Sequence, residues 1–158
     1  MRYLLELTDL QHRKPLQLES FLPYRLSLLS NAISGAIAAV YGDKFAISMP
    51  EWRIMMILAE YPDISADEVC RRTKIEKSVV SRAVALLSRH LVNRDVDEKD
   101  RRRSILRLSE TGLSVYDEVM PIARNHEAEL LADLTAEELE AFNDMIDKLM
   151  EKAAGIPG

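Results

Sequence analysis

The sequence predicts a mainly α fold with a small β wing, and three observations predict it. Apolar residues recur at helical spacing in four stretches, within residues 22–40, 80–91, 113–130 and 139–150. Two short alternating runs, 93–97 and 104–108, flank a charged tip and form a hairpin. The basic charge of an acidic chain is concentrated in one helix and that hairpin.

Residues 1–19 have little pattern beyond Leu4, Leu5, Leu10, Leu16 and Leu18, and are expected to form an N-terminal arm that packs on a partner subunit. Leu22, Leu26, Leu29, Ile33, Ile37 and Val40 make one seam of a helix over Phe21 to Tyr41, closed by Gly42. Ser65 is the N-cap of a short helix running to about Arg72. Glu68, three residues later, is its capping-box partner, and Val69 faces inward. Thr73-Lys74-Ile75 is then the turn of a helix-turn-helix. It contains no glycine, and Ile75 is its apolar plug.

In the next helix Val80, Val84, Leu87 and Leu91 share the inner face, while Ser78, Arg82, Ala85 and Arg89 fall about 180° away. Asn93 to Asp97 and Ser104 to Leu108 are the wing strands, and the tip between them is too charged to be buried. Glu110 or Thr111 opens a long helix with Leu113, Tyr116, Met120, Ala123 and Leu130 on one face, and Pro121 is expected to kink it. Thr135 and Glu138 form a capping box for the last helix, striped by Leu139, Phe142, Ile146, Leu149 and Met150.

The charge distribution says what such a fold is for. Residues 71–107 hold twelve Lys or Arg against five Asp or Glu, a net of +7, whereas the rest of the chain carries −12 within a total of −5. A basic run confined to one helix and one hairpin, with acidic flanks, is suited to neutralising phosphates. The outer stripe of small, hydroxylic and guanidinium side chains can enter a major groove about 12 Å wide, with Arg82 as base reader. Arg101, Arg102 and Arg103 suit a narrow minor groove, and Asp100 can hold a neighbouring guanidinium in a fixed direction. The full candidate set for DNA is Lys74, Lys77, Ser78, Val79, Ser81, Arg82, Arg89, Asp100, Arg101, Arg102 and Arg103.

Asp97, Asp100, Arg101 and Arg102, followed by Leu106, Leu108, Ser109 and Gly112, resemble the wing signature of the MarR (multiple antibiotic resistance regulator) family, D-x-x-D-R-R then L-x-L-T-x-x-G. Ser109 stands where that pattern has Thr and keeps the capping hydroxyl. Glu76 to Arg82 is similar to the start of the family's recognition helix, and Pro50 to Arg53 to the opening of its second helix.

The resemblance spans residues 20–150 and implies a winged helix-turn-helix carried on long N- and C-terminal dimerisation helices. It divides the chain into an arm at 1–19, dimerisation helices at 20–48 and 110–158, and a DNA-binding region at 49–109. It also implies a homodimer with recognition helices one DNA turn apart, roughly 34 Å, on a palindromic operator. The implied effector is a small aromatic acid or its coenzyme A thioester, bound between the dimerisation helices and the winged helix. Arg25, Ser34, Trp52, Arg53 and His126 are the candidate contacts.

Composition narrows the remaining classes. A 158-residue chain that is 47% hydrophobic suits one domain without metal or disulfide support. No run approaches the roughly 20 apolar residues of a membrane helix, and no signal-peptide h-region opens the chain, so a cytoplasmic location is expected. No GxSxG, Walker A motif or paired carboxylates suggest an enzyme, and no cofactor is expected. His12, His90 and His126 make no metal-ligand spacing, and His90 suits the end of the recognition helix instead. The single Cys70 excludes an internal disulfide and reads as buried and inert; a redox-responsive regulator acting through it is the alternative. A winged helix that binds protein is a further alternative, for which the basic tip would be an odd surface.

Overall fold

The computed structural model describes residues 17–96 and 104–156. Most of the N-terminal arm, at 1–16, and the wing tip from Asp97 to Arg103 lie outside the described residues. Two units divide the chain, residues 1–36 and 37–158. The first holds a 3-10 turn, Leu18–Ser20, and the opening part of helix α1, Leu22–Phe45. Leu22, Leu26 and Leu29 are exposed there. The helix continues past Gly42, which had been expected to close it. The left-handed residue after the helix is instead Ala46, with φ 53°, and its N–H reaches back to the Gly42 carbonyl.

The second unit contains α2 (Met49–Glu60), α3 (Ala66–Thr73), α4 (Lys77–Leu87), α5 (Glu110–Leu131) and α6 (Ala136–Ala154). Its three-stranded antiparallel sheet has the order β1-β3-β2, with β1 Ile64–Ser65, β2 Val92–Val96 and β3 Ser104–Leu108. The wing strands sit where alternation predicts them, within one residue. The two-residue β1 pairs Ile64 with Leu106 and Ser65 with Ile105, and local sequence gives no sign of it. Ser65 therefore has two roles, as the end of a strand and as the N-cap of α3, accepting from the Glu68 N–H at 3.2 Å.

Packing centres on the inner faces of α2 and α4. Ile54, Met55 and Leu58 of α2 meet Val80, Val84 and Leu87 of α4, with Val69, Leu106 and Val119 closing the sides. Burying a side chain such as Leu58 in this way contributes about 1.5–3 kcal/mol relative to exposure. Tyr41, Trp52 and Tyr116 form an aromatic stack with centroid separations of 5.3 and 5.9 Å, tying the end of α1 to α2 and α5. Burial raises the Tyr41 hydroxyl above its ordinary pKa, against a smaller opposing pull from Arg53. Ser48 and Glu51 cap α2 reciprocally; the Ser48 N–H donates to the Glu51 carboxylate at 2.7 Å.

The segment from the end of α4 into α5 explains the Ser-x-x-Gly of the wing signature. Ser109 Oγ accepts from the Gly112 N–H at 3.0 Å and donates to the His90 carbonyl at 2.7 Å, while the Ser109 N–H donates to the Leu91 carbonyl. A side chain at Gly112 would collide with that Leu91 carbonyl, so only glycine permits the approach. Helix α5 runs through Pro121 without interruption. The Thr135 and Glu138 capping box forms as expected at the start of α6. Along α6, Phe142, Ile146, Leu149 and Met150 are exposed, and only Leu139 is half-buried.

Candidate nucleic-acid interface

Helix α4 owes its orientation to what precedes it. The α3 helix ends with Lys74 in the left-handed region at φ 57°, the bend for which no glycine is present. Thr73 secures it: its hydroxyl donates to the Val69 carbonyl at 2.8 Å and accepts from the Ile75 N–H at 3.2 Å. Ile75 is half-buried against the core, as the plug reading requires. Glu76 then caps α4 by position, and its carboxylate accepts from the Ser78 hydroxyl at 2.7 Å.

With Val80, Ala83, Val84 and Leu87 buried, α4 turns Ser78, Arg82 and Ala85 outward, all exposed, with Lys77 and Ser81 beside them; the helix ends at Leu87, short of the expected Leu91, so the exposed Arg89 lies in the turn that follows. Val79 is half-buried. The Arg82 Nε–H donates to the Ser78 carbonyl at 3.3 Å, which lays the side chain along its own helix. No carboxylate lies within 4 Å of Lys74, Arg82 or Arg89 among the described residues.

Other cations of the basic segment are committed. Glu68 takes Arg71 at 2.9 Å and Arg72 at 2.6 Å, and Arg72 also lies over the Tyr61 ring at 3.7 Å. The Arg71 hydrogen bond, followed by that of Arg72, holds the Glu68 carboxyl below the ordinary carboxylate range. Lys77 pairs with Asp67 at 3.1 Å, and this hydrogen bond raises its ammonium above the usual lysine value. Arg107, on the sheet face away from the core, meets Asp63 at 2.7 Å and Asp95 at 3.5 Å.

Arg94, absent from the sequence-derived candidates, is the basic residue that reasoning missed. Its Nε–H donates to Ser104 Oγ at 2.9 Å, and strand register sets it opposite the buried Leu106, on the side of the sheet turned toward α4. Counting alternation back from Leu106 across the hairpin would have found it. Asp100, Arg101, Arg102 and Arg103 lie outside the described residues.

The effector candidates fall on three different helices. Trp52, a candidate effector contact, is only 4% exposed and stacks with both Tyr41 and Tyr116, so its ring is taken up by the core. Arg53 follows it on the exposed side of α2, and His126 is half-buried on α5. Arg25 is exposed and Ser34 half-buried on α1, within the first unit. Cys70 is half-buried at the edge of the core. Among the described residues no cluster of His, Cys, Asp or Glu could hold a metal, and no helix is long and apolar enough to cross a membrane.

Residues 47–103 match the sequence model of the MarR family. The transcriptional regulator HosA of Escherichia coli O127:H6 (strain E2348/69 / EPEC) is 29% identical over 105 residues, which are 66% of this chain and 78% of HosA. A MarR-family transcriptional regulator from Silicibacter pomeroyi, known from a crystal structure, superposes with a TM-score of 0.70 at 27% identity, covering 89% of this chain and 96% of that one. The PcaV transcriptional regulator from Streptomyces coelicolor, solved in complex with its natural ligand, shares the fold with a TM-score of 0.74 at 23% identity, covering 89% of this chain and 99% of PcaV. The helix-turn-helix and the three-stranded sheet thus agree with the match of residues 47–103 to the MarR family, and the chain is similar to transcriptional regulators of that family.

Proposed function

We propose that the chain is a sequence-specific repressor that binds a palindromic operator as a homodimer and is released from it by a small aromatic acid or its coenzyme A thioester. The observation that carries the DNA half is the outer face of α4, where Arg82 stands exposed beside Ser78 and Ala85, with Arg89 exposed in the turn just after the helix and no carboxylate within 4 Å of either arginine among the described residues. A helix buried on one side and cationic on the other is the element that reads base edges. Arg82 reads a base, while Lys74, Lys77, Ser78, Val79, Ser81 and Arg89 position the helix and Arg101 to Arg103, oriented by Asp100, enter the minor groove.

The dimer reading is supported by exposed apolar side chains on both terminal helices, Leu22, Leu26 and Leu29 on α1 and Phe142, Ile146, Leu149 and Met150 on α6. Such surface costs free energy in water unless a partner covers it. The effector half rests on the likeness to the MarR family and on PcaV, which was solved with its natural ligand on the same fold. With Trp52 enclosed, Arg53 and His126 are the contacts proposed within the second unit. A ligand that favours mis-spaced recognition helices must release DNA by the same differential affinity.

Selection of bound duplexes from a random pool, followed by electrophoretic shifts at several salt concentrations, tests this reading. A palindromic consensus is expected. Arg101→Ala or Arg102→Ala should weaken binding to every sequence and reduce the salt slope by about 0.9 per lost phosphate contact. Failure to enrich any sequence would overturn the specific-regulator reading. Calorimetric titration with aromatic acids and their thioesters, then DNA competition, tests the effector: a tight ligand that leaves DNA affinity unchanged removes the release mechanism.

A further inference from the structure

A cleft of about 120 Å³ opens between α3, α4 and the wing. Asp67, Cys70, Lys77, Ser81, Arg94 and Ser104 line it above an apolar floor. Its polar groups suit an anion. Ser81 and Ser104 offer hydroxyls, and among the described residues Arg94 donates only its Nε–H, to Ser104, and neither terminal nitrogen of the guanidinium has a partner there. The carboxylate among these groups, Asp67, is paired with Lys77.

Position identifies the anion. A helix in the major groove and a wing in the adjacent minor groove stand on either side of one sugar-phosphate strand, which has to pass between them. This cleft lies between those two elements. We infer that it seats a backbone phosphate of duplex DNA, gripped by Arg94 with the Ser81 and Ser104 hydroxyls, and that Asp67 competes with the phosphate for Lys77. The inference rests on the DNA-binding reading above and adds Arg94, Ser104 and Asp67 to it. Asp67 is thereby a brake on affinity: the lysine reaches the phosphate only by leaving its carboxylate.

The test is fluorescence anisotropy on a mixed-sequence duplex about three turns long, over a series of salt concentrations. Arg94→Gln should lower affinity about tenfold at low salt and reduce the salt slope by about 0.9. Arg94→Lys should recover part of the loss, since it keeps the charge without the fork. Asp67→Asn should raise affinity about two- to fivefold, the scale of an exposed ion pair. Arg124→Gln on α5 should change nothing. Unchanged affinity and slope in an Arg94→Gln protein that melts like wild type would overturn the cleft. If that variant melts early, Asp67→Asn decides alone, a gain in affinity supporting the inference and no gain overturning it. Arg82→Ala weakening binding where Arg94→Gln does not removes the cleft and leaves the regulator reading intact; a wild-type chain that ignores duplex DNA at low salt removes both.

Discussion

Helices α3 and α4 are neighbours with similar ingredients, an apolar inner face and basic residues outside, yet they use their charge in opposite ways. On α3, Glu68 holds Arg71 and Arg72 together, and Arg72 is further laid over Tyr61. On α4 and in the turn just after it, Arg82 and Arg89 meet no carboxylate among the described residues, and Arg82 donates to the Ser78 carbonyl of its own helix. A charge tally counts all four arginines alike. The difference is that a guanidinium already bound to a carboxylate must give up that partner before it can neutralise a phosphate, whereas an unpaired one only sheds water. α3 thus serves as a support, and α4 is the helix free to read.

The strongest way to break this contrast is to loosen the seat of α4. Leu87, 3% exposed at the end of its inner face, leaves a cavity when cut back to alanine. Leu87→Ala should cost about 2–5 kcal/mol in urea unfolding and weaken DNA binding only through the unfolded fraction. Arg82→Ala should do the reverse, leaving stability unchanged and relaxing discrimination at one base position by about 1–3 kcal/mol in competition shifts. If Arg82→Ala instead lowers stability and spares specificity, α4 is not the reader.

A gentler comparison uses one arginine from each side of this contrast. Arg89→Ala should reduce the salt slope of DNA binding by about 0.9, while Arg71→Ala should leave it nearly unchanged because its charge is already matched by Glu68. Equal effects of the two would mean that the Glu68 cluster opens on DNA, and the distinction between support and reader would fall.

How much of this was legible in the sequence depends on whether the signal is local. The inner and outer faces of α4, the caps Ser65, Ser109 and Thr135, and the wing strands all follow from periodicity or from a side chain within three residues of its partner. What escaped depends on distant residues. β1 exists only because Leu106 and Ile105 arrive beside Ile64 and Ser65. Trp52, a candidate effector contact in the sequence, is drawn into the core by stacking on Tyr41 and Tyr116, residues that local sequence does not place beside it. Glycine misled for a different reason: the described left-handed residues are Ala46, Asp63 and Lys74, none of them glycine, whereas Gly42 is an ordinary helical residue and Gly112 is required by the proximity of a carbonyl. At Lys74 the bend is held by the Thr73 hydroxyl, a local side-chain cause that glycine counting does not register.

The smallest expected effect is a pH dependence confined to α3. Glu68 has its pKa lowered, first by the Arg71 hydrogen bond and then by Arg72, so its folded value lies below its unfolded one. A carboxylate of that kind contributes stability that is fully present above the unfolded value, about 4.3, and is lost as pH falls through the folded value. Glu68→Gln removes the titrating group and keeps the shape. The gap in stability between wild type and Glu68→Gln, read by urea unfolding, should therefore be constant near neutrality and close progressively below about pH 4. At neutral pH the same variant releases both arginines, so it should bind mixed-sequence duplex more tightly with a steeper salt slope. A variant that loses its stability gap on acidification but gains no DNA affinity would show that Arg71 and Arg72 lie off the DNA path even when free, and the contrast between α3 and α4 would then be one of position rather than of charge.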